Sequence, residues 1–192
     1  KLPDIPAINI GGGSETIVDA MSAVLMLCGP MDLTEILQCQ KEKLRYIKGW
    51  KGSGQRRKAY LSGDIQITRD GFVHMKKTYK DELKSGKTKV WFSHGMVDEK
   101  LGIIQDPNSP NTFFDQVYYK KWNKLPSGEY FDVYRQTIKF RSGFSKYLMV
   151  HANNPYYEDL VNSFKDMIKD KDAKKVLDKK LGYGPWTVGK AV

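Results

Sequence analysis

Cysteine is nearly absent from this chain: its 192 residues include two, Cys28 and Cys39. Two thiols are too few for a disulfide framework or for a structural zinc site of four Cys/His ligands. Both fall on apolar helix faces with no basic neighbour to make a thiolate, so they read as core residues of a protein from a reduced compartment. Long hydrophobic runs are missing as well. The most apolar stretch, Ala20 to Cys28, is interrupted by Ser22 and is too short to span a bilayer. It follows Glu15 and Asp19, where a signal peptide would carry a basic flank. Histidine is scarce, and His74, His94 and His151 lack the short-spaced pairing of a metal site. No serine sits in a nucleophile elbow. The reading is of a non-enzymatic chain with no metal and no cofactor.

Acidic residues are the minority. The chain has 22 Asp+Glu against 32 Lys+Arg, a net charge of +10 with a pI of about 9.4. An excess of this size implies an anionic partner: nucleic acid, an acidic lipid surface or an acidic protein. It is concentrated in one place. Lys41, Lys43, Arg45, Lys48, Lys51, Arg56, Arg57 and Lys58 are opposed within that window only by Glu42. Gly49, Gly52 and Gly54 make part of the window a loop, and the eight cations are the candidate polyanion contact. A second lysine-rich stretch, Lys165 to Lys180, is interleaved with Asp166, Asp170, Asp172 and Asp178, as a solvated helix face is.

The pattern of elements predicts an α+β chain with N-terminal helices, an antiparallel meander sheet and a C-terminal helix. Residues 1–13 read as a flexible arm in which Pro3 and Pro6 flank short apolar residues, and 14–192 as one globular domain. A first helix is predicted from Thr16 to Cys28, ending at Gly29-Pro30. A second, opened by a capping box at Asp32 and Glu35, is predicted to run to Ile47. From Ala59 the period reads as two. Strands are predicted around Leu61 to Ile67, across an Asp70-Gly71 hairpin to Tyr79, then at Thr88 to His94, Leu101 to Gln105, Phe113 to Trp122 and Glu129 to Arg141, with a short one at Tyr147 to Val150. Tyr157, Leu160, Val161, Phe164 and Ile168 recur at helical spacing, and the tail from Gly182 offers Trp186 and Val188 for docking.

Three features offer chemistry. Gly11-Gly12-Gly13-Ser14 leads into a helix whose N–H groups suit a phosphate, but the Gly-Lys-Ser/Thr of a P-loop is missing and no strand is expected before it. Glu82-Leu83-Lys84 and Asp98-Glu99-Lys100, with Asp70 upstream, have the form of an Mg²⁺-dependent nuclease site, a third functional alternative in a chain rich enough in charge to produce such triplets by chance. Aromatic residues crowd the two predicted strands Phe113 to Trp122 and Glu129 to Arg141. There Trp122, Lys120, Lys121, Arg135 and Lys139 form a candidate stacking face for single-stranded nucleic acid, which makes a single-strand-binding or capsid-type protein the second alternative.

From Asp32 to Leu44, through Arg45-Tyr46-Ile47-Lys48-Gly49-Trp50-Lys51-Gly52, to Arg56-Arg57-Lys58-Ala59-Tyr60-Leu61-Ser62-Gly63, the order of features resembles the rhabdovirus matrix proteins. The closing Leu177-Asp178-Lys179-Lys180-Leu181-Gly182-Tyr183-Gly184-Pro185-Trp186-Thr187-Val188 does so too, and together these cover about a fifth of the chain. The resemblance implies a basic viral structural or assembly protein, located in the virion and host cytoplasm. It would form a homo-oligomer and bind nucleocapsid RNA and anionic membrane through Lys41 to Lys58. The arm residues Leu2, Pro3, Ile5 and Pro6 would then mediate self-association. No Pro-Pro-x-Tyr motif is present; Tyr157-Glu158-Asp159-Leu160 has the Tyr-x-x-Leu form, which a buried helix face also produces.

Overall fold

One buried helix organises the chain. In the computed structural model, which describes residues 7–12, 17–98, 102–107, 109, 111–143, 151 and 153–181, α1 spans Ile17–Cys28. Val18, Met21, Val24, Leu25, Met26 and Cys28 of α1 are all buried, and so are its polar residues Asp19 and Ser22, as a helix enclosed on every side requires. It stops at Gly29, whose φ of +81° is the left-handed conformation suited to a helix end. A Cβ there would also lie 2.7 Å from the Trp122 indole. The second helix, α2 (Leu33–Lys43), opens with the predicted capping box: the Glu35 N–H donates to Asp32 Oδ1 at 2.9 Å, and the Asp32 N–H donates to the Glu35 carboxylate at 3.2 Å.

Two corrections follow at once. The second helix ends at Lys43, and Leu44–Ile47 form strand β2. Within the predicted arm, Ile8–Gly11 form β1, which pairs in parallel with β2 in the register Ile8 opposite Leu44 to Gly11 opposite Ile47. Ile67 forms a parallel bridge to Ile10 on the other side. Ile10 is buried between these neighbours, so residues 8–11 gain both a ladder and a core position. Leu2, Pro3, Ile5 and Pro6 lie outside the described residues, as do Gly13, Ser14, Tyr147 to Val150 and the tail from Gly182.

The α+β class holds; the meander does not. The other described strands are β3 (Met96–Asp98) and β4 (Gly102–Ile104), an antiparallel pair, and β4 falls inside the predicted Leu101–Gln105 strand. Elsewhere predicted strands are helices: α4 (Phe72–Thr78), α6 (Phe114–Trp122) and α7 (Glu129–Gly143), while α3 (Ser53–Ser62) takes in Gly54 and much of the window read as a loop as well as the start of the predicted Leu61–Ile67 strand; α5 (Lys80–Lys84) follows α4. Thr88 to His94 contributes only a bridge from Ser93 to Phe113. The reason is periodicity. Phe114 and Tyr118, and Tyr130, Tyr134 and Ile138, are buried at four-residue intervals, so each set lies on one side of a helix, turned into the core cluster that α1 centres. Aromatic and β-branched composition suggested strands, but packing on α1 decides the period. α8 (Tyr157–Lys169) and α9 (Lys171–Leu181) pack on each other, and α9 also touches α4. The Tyr-x-x-Leu face is not buried: Tyr157 and Leu160 are 44% and 47% exposed.

Cys28 and Cys39 are core residues, as expected, but they are also joined to each other as a disulfide. The turn between α1 and α2 folds the two helices face to face, bringing Cα atoms eleven positions apart in sequence to 6.2 Å. The reading of two free thiols is thereby overturned. Among the described residues no single helix is long and apolar enough to cross a membrane; α1 and α2 pass that test only as a pair bent by 102°, and α1 is core.

Closure of this short loop constrains the unfolded chain by on the order of 3 kcal/mol. Cys39→Ser is expected to lose about that much in urea unfolding, and a loss below about 0.5 kcal/mol would show that the link contributes little. A second expectation concerns alkaline pH. Burial pushes the phenols of Tyr79, Tyr118 and Tyr130 up to about 12, and Tyr134 higher still. The folded state therefore holds these protons more tightly than the unfolded chain, whose tyrosines titrate near 10. Their contribution is whole below pH ~10 and is lost as pH rises toward 12. Denaturation followed at 295 nm is expected to release these phenols together with unfolding; their ionisation near pH 10 in the folded protein would contradict it.

Candidate anion-binding site

The eight clustered cations do not form one surface. Lys41 on α2, Arg45 on β2, Lys51 in the turn beyond it and Lys58 on α3 are exposed. Lys43 is half-buried in the last turn of α2, and exposed Lys48 lies over the Tyr46 ring at 5.6 Å. Arg57 is different. Its Nε donates to Asp70 Oδ2 at 2.5 Å and its Nη2 to Oδ1 at 2.9 Å, with the two side chains only 20% and 8% exposed. The hydrogen bond to Asp70 holds the guanidinium's pKa above its usual value. Asp70, expected at the tip of a hairpin, instead anchors the loop after α3 to that helix. Arg57 is thus removed from the exposed basic set.

The predicted stacking face is dismantled for a related reason. Trp122 Nε1 and Lys121 Nζ both donate to the Met26 carbonyl, at 3.2 and 2.9 Å, supplying partners at the carboxyl end of α1. Desolvation in this position lowers the Lys121 pKa. Arg135 donates to Asp115 at 2.6 Å and lies over the rings of Phe113 and Phe131, linking α6 and α7. Lys120 and Lys139 remain exposed, on separate helices. With helices in place of strands, these five residues do not share one face. The nuclease triplets are not brought together within the described residues: Asp70 is engaged by Arg57, and among those residues no group of three His, Cys, Asp or Glu side chains is placed to hold a metal ion. Glu82 sits on α5 and Asp98 on β3, while Glu99 and Lys100 lie outside the described residues.

What the structure does bring together lies where the parallel strands end. The carbonyl of Ile47, the last residue of β2, accepts from the Gly12 N–H at 3.1 Å, and Ile67 accepts from Gly11 at 3.1 Å. A strand, β1, does lead into the glycine run at Gly11-Gly12, contrary to the sequence expectation, and within the described residues α1 follows at Ile17. The stem of Arg56 passes close to Gly11. A Cβ on Gly11 would fall 3.1 Å from Arg56 Cγ and 2.2 Å from Ile65 Cδ1, so glycine is required there by close approach. Arg56 Nη2 donates to the Arg69 carbonyl at 2.7 Å. The Arg69 guanidinium in turn lies 3.7 Å from Asp19 on the first turn of α1.

Around this point buried polar atoms stand without hydrogen-bond partners: both carboxylate oxygens of Asp19, Nε of Arg56 and Oγ1 of Thr68. Native interiors leave few such atoms. Tyr46, opposite Ile10 in the strand register, has its pKa raised by burial and by Asp19 and lowered by Arg56, so it feels both charges. His94 completes the group, with Nε2 3.5 Å from Asp19 Oδ1 and Nδ1 2.9 Å from the Tyr134 hydroxyl. Sequence reading singled out Arg56 and the glycine turn but missed Asp19, Arg69, Thr68, Tyr46 and His94 as a set. They come from segments far apart in the chain, and the only local signal was the glycine turn itself. Comparison with family models, with curated proteins and with solved structures finds no match for this chain.

The Arg57–Asp70 pair gives the prediction that separates structural from exposed cations. Asp70→Asn leaves a half-buried guanidinium without its counter-charge and is expected to cost about 1–3 kcal/mol. Lys58→Gln on the same helix is expected to stay within about 0.5 kcal/mol of wild type. Equal effects in denaturant unfolding would remove the distinction.

Proposed function

We propose that this protein is a binding module for a small anion, held at the carboxyl ends of β1 and β2 by Arg56 and Arg69. One observation carries the reading: two arginines and several unpartnered buried polar atoms converge where a parallel strand pair ends and a buried helix begins. Ligands of open α/β sheets bind outside the carboxyl ends of the strands, and helix N-termini favour negative charge. Arginine presents a planar fork that matches carboxylate, sulfate or phosphate oxygens. The Cys28–Cys39 link suits a protein that works in an oxidising compartment.

A second reading, the polyanion contact expected from the sequence, keeps support from the exposed cations Lys41, Arg45, Lys48, Lys51 and Lys58. The two make opposite demands on mutants. Under the first, sulfate or succinate at constant ionic strength raises the melting temperature, approaching the stabilisation of about 2.7 kcal/mol expected at a hundredfold excess over Kd. Arg69→Gln is expected to abolish that shift, whereas Lys41→Gln/Lys48→Gln/Lys51→Gln keeps it. Loss of the shift in the lysine triple variant alone, with salt-sensitive RNA or liposome binding in the wild type, would favour the second reading and defeat the first.

A further inference from the structure

We infer that the ligand of this site is not a bare anion but a small carboxylate that also carries an O–H or N–H donor, and that Asp19 receives that donor. The inference rests on the anion-binding reading above and adds the chemical class of the ligand. Asp19 is 5% exposed, and neither of its carboxylate oxygens accepts a hydrogen bond. A buried carboxylate normally satisfies its lone pairs with several donors, because leaving them empty forfeits most of its lost hydration.

The neighbours do not fill that role. Arg69 Nε stands 3.7 Å away and His94 Nε2 3.5 Å away, so neither makes an ordinary hydrogen bond to the carboxylate. His94 is held from its other side by a hydrogen bond between its Nδ1 and the Tyr134 hydroxyl at 2.9 Å, which turns Nε2 toward Asp19. Its side chain is 23% exposed and that of Arg69 38%, against 5% for Asp19, so these two are the more accessible neighbours of the buried carboxylate. Arginine cations and a buried carboxylate therefore stand side by side. A ligand with charge of one sign meets attraction from the arginines and repulsion from Asp19. One that places its carboxylate against the arginines and turns a hydroxyl or ammonium toward Asp19 satisfies both. Sites built to receive a donor discriminate strongly against analogues lacking one, because the buried acceptor then stays unpaired.

Calorimetric titration with succinate, malate and aspartate at one pH and ionic strength tests this. The three share a four-carbon dicarboxylate frame and differ in the added hydroxyl or ammonium. Malate or aspartate is expected to bind at least tenfold more tightly than succinate, and Asp19→Asn is expected to bring the ratio within about threefold. Succinate binding as tightly as both would overturn the donor requirement while leaving the anion site standing. Absence of binding by all three and by sulfate would instead defeat the anion reading itself, and the inference with it. Should Asp19→Asn fail to fold, the wild-type ratio still decides the question.

Discussion

The site depends on the corner between α1 and α2. α2 passes into β2 without an intervening loop, its last residue Lys43 followed directly by the first strand residue Leu44. Whatever fixes α2 against α1 therefore fixes β2, and through the parallel ladder it fixes β1 and the Gly11-Gly12 turn. The Cys28–Cys39 bond and the burial of Ile36 and Cys39 against α1 supply that constraint. Loosening the corner would displace Tyr46 and the strand ends together, without changing any residue that faces the proposed ligand.

Charge is used here in two ways that net charge alone does not separate. Some cations serve the fold: Arg57 with Asp70, Arg135 with Asp115, and Lys121 on the Met26 carbonyl each tie together elements distant in sequence. Others are solvated, as in α8 and α9, where the Lys169–Asp166 pair is 77% exposed on both side chains and contributes little. Arg56, Arg69 and Asp19 belong to neither group. They are held at the end of a strand pair where Arg56 Nε and both Asp19 oxygens are left unmatched, an arrangement that costs stability and is characteristic of sites kept for a ligand.

The local features were legible in the sequence because their causes are local. The capping box at Asp32, the glycine stop at Gly29, the apolar run of α1 and the helical spacing from Tyr157 to Ile168 each depend on residues a few positions apart. The β4 segment was legible as well. The aromatic segments were misread because enrichment in Phe and Tyr suggests strands, whereas the four-residue interval from Tyr130 to Ile138 carries the information that packing uses. β1 was hidden because four residues between prolines and glycines acquire strand character only when β2 and Ile67 flank them. The charge window ending at Lys58 stopped twelve residues short of Asp70, the partner that removes Arg57 from the surface. Asp19, Arg69 and His94 are each unremarkable in their own segments; only the fold makes them neighbours.

The central claim is that the anion is held at the strand ends and not along the exposed lysines. Backbone amide chemical shifts during a sulfate titration test it directly. The structure predicts saturable shifts at Gly11, Gly12, Thr68 and Arg69, with the amides of Lys41, Lys48 and Lys51 moving only as ionic strength changes. Saturable shifts confined to the lysine positions, with the glycine turn and Arg69 unmoved, would contradict it.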